Sequence, residues 1–268
     1  MLTAIALSSA LPAAAATQTF QDARPIRGEK ALAVELTLGT GEVRLEPGAF
    51  DKLYAVRAEV DPESLEAKSR YADGTLSLYT LAQRKIGVPG TNRWTMAFTQ
   101  KLPLTLYADL GTAKSDLDFT GLRLTDATLL MGASLATVRF NTPNPAVLKS
   151  FRIETAAANV QGFGLGNANF DLFEFKGGVG NSELDFAGDY RRKGQVKASV
   201  TVGRLIVRVP RSLGLRVKAA DGWASRVRLP EELKQEEGLW VSPNYATASG
   251  RIDLEAETRV GAIEIKWE

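Results

Sequence analysis

A short apolar–polar–apolar phrase recurs along this sequence, and it restricts the possible folds more than any other feature. Its clearest copies are Leu117-Asp118-Phe119, Val138-Arg139-Phe140 and Leu184-Asp185-Phe186. Looser copies are centred on Gln161, Arg208, Arg228 and Asp253. Successive centres are 21, 22, 24, 23, 20 and 25 residues apart. A period of this length predicts a repeated β architecture in which each unit stacks on its neighbours.

Each repeat unit supplies two strands with turn residues between them. The first strands are marked by alternating apolar residues at Leu104/Leu106, Leu129/Met131, Phe151/Ile153, Phe173/Phe175, Val196/Ala198/Val200 and Leu215/Val217. The second strand of each unit is the phrase itself. The turn residues are Gly111, Gly132, the run 156–159, Gly177-Gly178 and Asp221-Gly222. The sequence therefore predicts an all-β, stacked-strand β-solenoid or β-helix-like repeat domain. A β-sandwich of hairpins is the alternative, because it would keep the alternation without the stacking order.

Stacking the units in sequence order makes specific predictions about neighbours. The apolar residues of the phrase point inward, so Val138 is expected to lie beside Val160. The central residues point outward and should form cross-strand pairs. The expected pairs are Asp118–Arg139, Asp185–Arg208 and Arg228–Asp253. Each such pair is expected to contribute about 0.2–1 kcal/mol.

The ends of the chain interrupt the repeat. Asp73-Gly74 predicts a hairpin turn, and a strand is expected over about 93–99. Residues 230–238 are acidic and predict a short helix or a loop inserted on the surface. A final short strand near Trp267 is expected to cover the last open edge of the stack.

The N-terminal residues predict export. Residues 1–16 are small and apolar and end in an alanine run, as a signal peptide with its cleavage site does. Residues 17–30 are polar and predict a flexible leader, and 31–268 form a single all-β repeat domain. No stretch reaches the ~18 apolar residues that a transmembrane helix requires. The expected location is the periplasm, the cell surface or the medium.

The composition excludes several kinds of chemistry. The chain has no cysteine and no histidine, so it cannot form disulfides, Cys/His zinc sites or a histidine general base. We therefore expect no cofactor and no metal. With 33 basic and 31 acidic residues, the net charge of +2 gives no reason to expect a nucleic-acid partner.

The stacked units resemble the bacterial toastrack group. This group includes adhesin-like domains of unknown function (DUF4097-like) and the C-terminal domain of LiaF-like cell-wall-antibiotic response proteins. The resemblance rests on the strand–glycine–phrase units and on Val209-Pro210, Gly238-Leu239-Trp240, Asn244-Tyr245, Ile252-Asp253-Leu254 and 261–265. It covers most of residues 30–268. It implies a stacked-strand domain of the bacterial envelope without established catalytic residues.

Few side chains are candidates for a site. The basic run Tyr190, Arg191, Arg192 and Lys193 could bind an anionic glycan or lipid headgroups, and Trp240 could stack on a sugar or contact a partner. As general acid–base pairs we considered Asp116/Asp118 and Glu183/Asp185, and as calcium ligands Asp171, Glu174, Asp185 and Asp189. Three further aromatic side chains could stack on sugars or close the ends of the stack: Trp94, Tyr107 and Trp223. A charged outer strand face explains the carboxylates more simply, because Asp118 and Asp185 would lie about 14 Å apart, three strands at ~4.8 Å.

These observations favour an exported, non-enzymatic envelope protein that acts as a binding, adhesin-like or scaffold module. Its expected partner is an envelope protein or an anionic glycan. Two alternatives stay open: an envelope-stress sensing component with a membrane partner, and a carbohydrate-active β-helix enzyme. The sequence does not set the oligomeric state.

Overall fold

The computed structural model describes residues 17–48, 51–83, 90–220 and 224–268, so the signal-peptide prediction for 1–16 lies outside the described residues. The described residues form one 18-stranded sheet and one short 3-10 helix, Leu165–Ala168. The strands are β1 (Gln18–Pro25), β2 (Leu32–Thr37), β3 (Thr40–Pro47), β4 (Lys52–Val60), β5 (Leu65–Ala72), β6 (Thr75–Ala82), β7 (Asn92–Phe98), β8 (Pro103–Asp109), β9 (Thr112–Asp118), β10 (Arg123–Arg139), β11 (Leu148–Phe163), β12 (Phe170–Asp185), β13 (Lys193–Val209), β14 (Gly214–Ala220), β15 (Ser225–Arg228), β16 (Lys234–Glu236), β17 (Leu239–Val241) and β18 (Arg251–Trp267).

Five long strands carry the stack. β10, β11, β12, β13 and β18 have 16 or 17 residues each and pair in parallel in that order. Each long strand runs through both halves of the sheet, which we call half A and half B. Half A contains β2, β8, β14 and the N-terminal parts of the long strands, and half B contains β3, β9, β15 and their C-terminal parts. The all-β, stacked-strand prediction is therefore confirmed.

The two halves meet at a corner where the chain bends around the core. The pairing of the long strands skips one position here, at Gly132, Ala156, Gly178, Thr201 and Arg259. The predicted turn residues 132, 156–159 and 177–178 therefore lie within continuous strands and do not separate two strands. The predicted turn at Asp221-Gly222 lies outside the described residues.

Phenylalanine side chains fill the space between the halves. Phe119, at the end of half B, lies 5.3 Å from Phe140 and 6.1 Å from Phe151 of half A, measured between ring centroids. Phe151 then contacts Phe173 at 5.3 Å, and Phe173 contacts Phe186 at 5.5 Å. All five side chains are fully buried. The apolar residues of the phrase thus point inward, as predicted.

Antiparallel strands close the N-terminal end of the stack. On half A, β6 pairs in parallel with β2 and forms an antiparallel hairpin with β5 through Asp73-Gly74, where both residues have positive φ. On half B, β7 pairs in parallel with β3, and β4 and β1 follow as antiparallel strands. The prediction of a flexible leader for 17–30 is thus wrong for Gln18–Pro25, because these residues pair with β4 and half-bury Phe20 against Trp94. The strand predicted near 93–99 is confirmed as β7.

The C-terminal strand does not cover the last edge. β18 lies between β13 and the β14/β15 unit, and the β16–β17 hairpin extends half A beyond β14. The prediction that a strand near Trp267 closes the stack is therefore wrong. The predicted pair Arg228–Asp253 is wrong for the same reason: Asp253 lies in half A, while Arg228 faces Glu264 of β18 and binds it at 2.9 Å.

The other cross-strand predictions hold in part. Arg139 is in register with Asp118 and lies 3.6 Å from it, but it also binds Asp116. Arg208 is in register with Asp185, but its ion pair is with Glu183. Val138 lies beside Gly162, two residues beyond the predicted Val160. A shift of two residues leaves every side chain on its predicted face, because strand side chains alternate with period two.

Candidate functional site

Tyr190, the first residue of the predicted basic site, belongs to the core. Its side chain is buried, its ring stacks on Phe170 at 4.9 Å, and its hydroxyl donates to the Phe170 carbonyl oxygen at 2.8 Å. Burial raises the pKa of this hydroxyl well above its usual range. Tyr190 is therefore a structural residue, out of reach of a large ligand.

The rest of the basic run is neutralised by acidic neighbours. The Arg191 guanidinium lies 2.6 Å from Asp189, Arg192 binds Asp171, and the Lys193 ammonium lies 3.4 Å from Asp253. Trp240 lies on β17, beside Val217 of β14, and is half-buried against the core. These residues do not form one site with a surplus of charge.

The carboxylates considered for catalysis or calcium binding also have basic partners. Asp116 and Asp118 share Arg139, and Glu183 binds Arg208. Glu174 lies 2.9 Å from Arg152. Within the described residues, no three acidic side chains come together as a metal site. Of the other aromatic candidates, Trp94 is buried and Tyr107 is exposed on half A, while Trp223 lies outside the described residues.

A groove with an excess of polar side chains lies instead on the outer surface of half B. We call it the polar groove; it has a volume of about 660 Å³ across β9–β12. The side chains that define its chemistry are Asp116, Arg139, Asn159, Gln161, Asn181 and Glu183. They occupy alternating outward positions, so the pleat of parallel strands places them on one surface.

Three side-chain amides lie at the centre of the polar groove. The Asn159 Oδ1 accepts a hydrogen bond from the backbone N–H of Asn181 at 2.8 Å. One residue further along β11, the Val160 N–H donates a hydrogen bond to the Ser182 Oγ at 3.3 Å. The side chains of Gln161 and Asn181 make no hydrogen bond within the described part of the chain, and both residues are exposed. The amides of Gln161 and Asn181 each offer two N–H donors and one oxygen acceptor to a ligand.

Two exposed apolar side chains flank these amides. Leu135 on β10 is 59% exposed, and Phe163 on β11 is 42% exposed. Phe163 follows Gln161 by two residues, so both point outward from the same strand. Large apolar residues at outward positions break the inward-apolar pattern, and this break is the sequence signal that could have identified the groove.

A cluster of cations surrounds one carboxylate at the far end of half B. Glu264 of β18 is 6% exposed and binds Arg204 at 2.8 Å, Arg228 at 2.9 Å and Lys266 at 2.8 Å. Hydrogen bonds from Lys266 and Arg204 lower the pKa of Glu264 to about 2. This carboxylate thus joins three strands at the C-terminal end of the stack.

Because the pKa of Glu264 in the folded state lies below the 4.5 of an unperturbed glutamate, ionised Glu264 stabilises the fold above pH ~4.5. We expect this contribution to be lost as the pH falls from about 4.5 to about 2. Glu264→Gln should be less stable than the wild type near neutral pH, and this difference should shrink across the acid range. Urea midpoints at several pH values test this, with the exposed Glu255→Gln of the same strand as control. A constant difference between wild type and Glu264→Gln would contradict the assignment.

No described helical segment has the length and apolar character that crossing a membrane requires. The family model described as the N-terminal domain of toast_rack, DUF2154, matches residues 13–146, half of the 268-residue chain. No curated protein matches the sequence.

Several solved structures are similar to the chain. A proposed cell adhesion protein from Clostridium sporogenes ATCC 15579 has 19% identity and a TM-score of 0.48, over 94% of this chain and 100% of that one. A proposed lipid-binding protein from Parabacteroides distasonis ATCC 8503 has 9% identity and a TM-score of 0.44, over 93% and 97%. A proposed adhesin from Bacteroides fragilis NCTC 9343 has 11% identity and a TM-score of 0.36, over 93% and 97%. On the evidence of the matched family model, the chain belongs to the toast_rack N-terminal domain family, DUF2154.

Proposed function

We propose that this protein is an exported, non-enzymatic binding module that holds a glycan in the polar groove of half B. The observation that carries the proposal is that two of the three amides between Leu135 and Phe163, Gln161 and Asn181, make no side-chain hydrogen bond in the described part of the chain. Sugars present hydroxyl groups around a ring with apolar faces, so amides together with exposed apolar side chains suit them. The signal-like residues 1–16 support export.

The stacked strands hold the amides in a regular array. Asn159 and Asn181 lie on adjacent strands, ~4.8 Å apart in a parallel sheet, which is close to the length of one pyranose unit. The parallel ladder fixes the backbone on both sides of each amide. A groove that is ordered before binding loses less entropy when a ligand is bound.

The carboxylates of the groove favour binding over hydrolysis. Asp116 on β9 and Glu183 on β12 are three strands apart, so about 14 Å separates them at ~4.8 Å per strand. Glycoside hydrolases place their two carboxylates about 5–9.5 Å apart. Asp116 and its nearer neighbour Asp118 share Arg139, and Glu183 binds Arg208, which leaves these carboxylates suited to orienting a ligand.

A glycan array followed by calorimetry on the best ligand tests the proposal. Gln161→Ala combined with Asn181→Ala should lower the affinity by roughly 5- to 150-fold, because two hydrogen bonds contribute about 0.5–1.5 kcal/mol each. Gln195→Ala is the matched control, since Gln195 is an exposed amide on the outer surface of half A. That variant should bind like the wild type.

Two results would contradict the proposal. Equal loss of affinity in the Gln195 control and the groove variant would show that the groove is not the site. Release of shorter saccharides during incubation would show that the protein is an enzyme. Reducing-end assays on the same samples detect such turnover.

A further inference from the structure

An exposed apolar strip runs along the outside of the corner. We call it the corner ridge; it consists of one residue from each long strand, namely Ala133, Ala157, Val179, Val202 and Val260. These residues are in register, so the strip is about 19 Å long at ~4.8 Å per strand. Val179, Val202 and Val260 are 55%, 39% and 46% exposed.

The corner explains why valines face solvent. Each of the three is followed by a glycine with positive φ, at Gly180, Gly203 and Gly261. These glycines mark the point where the strand leaves half A for half B. Since the core lies inside the bend, the corner ridge is on its convex side. Aligned exposed apolar residues of this kind usually mark an interaction surface.

From the corner into half B, the charges beside the corner ridge are all positive. On each long strand we consider four residues, the one at the corner and the three that follow it. None of these segments contains a carboxylate: they are 132–135, 156–159, 178–181, 201–204 and 259–262. Arg259 and Arg204 lie in these segments, and Lys114 and Arg226 occupy the adjacent positions on β9 and β15. Lys114, Arg226 and Arg259 form no ion pair with any described residue, whereas Arg204 also binds Glu264.

The nearest carboxylates lie on the half A side. Glu154 and Glu257 take the outward positions two residues before the corner. Glu154 is neutralised by Lys176 at 3.1 Å, which leaves Glu257 beside Arg259 and, on the neighbouring β8, Asp109 opposite Leu130. The corner ridge therefore combines exposed valines with a surplus of cations.

We infer that the corner ridge docks on an anionic lipid surface. Apolar side chains that enter the headgroup region, with cations beside them, are what binds proteins to the surface of a charged bilayer. Beside Ala133, Ala157 and Val179 the strip borders a wide, shallow depression of about 550 Å³. Its lining is mostly small side chains, so it suits a flat, deformable surface better than the deep pocket that a peptide anchor needs. Five small side chains also bury far less than the ~800 Å² per partner of a stable protein interface, so a second copy is a poorer occupant.

Vesicle co-sedimentation of the purified full chain tests this inference. The protein should bind vesicles of phosphatidylcholine mixed with phosphatidylglycerol and leave pure phosphatidylcholine vesicles largely unbound. Added salt should weaken binding, because the cations are exposed. Arg226→Gln combined with Arg259→Gln should lower the partition coefficient by roughly 30-fold, because each cation near an anionic surface contributes about 1 kcal/mol.

The apolar contribution needs a separate variant that keeps the fold. Val179→Thr, Val202→Thr and Val260→Thr together preserve side-chain shape and strand preference while adding hydroxyl groups. This triple variant should bind anionic vesicles several-fold more weakly. Val147→Thr, at a valine that is 37% exposed and lies outside the ridge, is the matched control and should bind like the wild type. Circular dichroism checks that all variants are folded.

The outcomes separate this inference from the glycan proposal. The variant Gln161→Ala with Asn181→Ala should bind vesicles normally, even if glycan binding is lost or was never present. Absence of binding to anionic vesicles, or equal binding by the wild type and the triple threonine variant, would overturn the inference. It would also be overturned by a concentration-dependent dimer in light scattering that the triple threonine variant abolishes.

Discussion

Gly203→Ala is expected to lower the free energy of unfolding by about 4 kcal/mol or more, an unusually large loss for adding one methyl group. Gly203 has φ +136°, a conformation that residues with a Cβ rarely adopt. A Cβ added there would lie 1.9 Å from the backbone oxygen of Gly180 on the neighbouring strand. The backbone of β12 would have to move, although it is held on both sides by parallel pairing.

Two other glycines separate the causes of this loss. Gly238 has φ +82° and nothing within 4 Å of an added Cβ, so Gly238→Ala should show backbone strain alone, about 1–2 kcal/mol. Gly39 has neither a strained φ nor a close neighbour, so Gly39→Ala should change stability by less than about 1 kcal/mol. Urea unfolding of the three variants gives the comparison. If Gly203→Ala costs no more than Gly238→Ala, close contact between strands does not constrain the corner.

The class of fold could be predicted because the pattern is repeated in every unit. Alternation with period two assigns Leu117, Val138 and Leu184 to the core without knowledge of the neighbouring strands. The period of 20–25 residues then predicts stacking. The alternation and the repeat are both read from short stretches of sequence. An error of two residues in the strand pairing changes neither the predicted face of a side chain nor the prediction of stacking.

The order of the strands in space could not be predicted in the same way. Val207 of β13 lies beside Ile265 of β18, while Val227, the next copy of the phrase along the chain, lies one strand further out. Isoleucine and valine suit the inward position equally well. No local preference therefore indicates that β18 inserts before β14 and β15.

The candidate site could not be predicted either, because it depends on which strands are neighbours. Arg192 looked available for a ligand because its partner Asp171 is 21 residues away in sequence. Gln161 could be placed on an outward surface from the phrase alone. Its proximity to Asn181 follows only from the pairing of β11 with β12. A site built across strands becomes visible only once the register is known.

The polar groove and the corner ridge lie on the same strand segments. On β12, Val179 is on the ridge and Asn181, two residues later, is in the groove. Docking through the corner would therefore leave the outer surface of half B beside the membrane and open to solvent. A glycan bound there would lie across the strands, next to the lipid surface.

Phe173→Ala is expected to be the most damaging change of an aromatic residue, at about 3–5 kcal/mol. The Phe173 side chain is fully buried, and its ring lies within 6 Å of three others, those of Phe151, Phe170 and Phe186. Truncation removes apolar burial and leaves a cavity between half A and half B. It also removes edge-to-face ring contacts, which add about 0.5–1.5 kcal/mol each.

The stacked architecture predicts where this loss should be felt. Each strand contacts mainly its two neighbours, so β11, β12 and β13 should lose hydrogen-exchange protection before the N-terminal strands do. Phe173→Leu should cost less, because it keeps most of the volume. Tyr107→Ala, at a side chain that is 44% exposed on half A, should change the stability by no more than about 0.5 kcal/mol. If Phe173→Ala were as mild as Tyr107→Ala, the ring contacts between the halves would not hold the stack together.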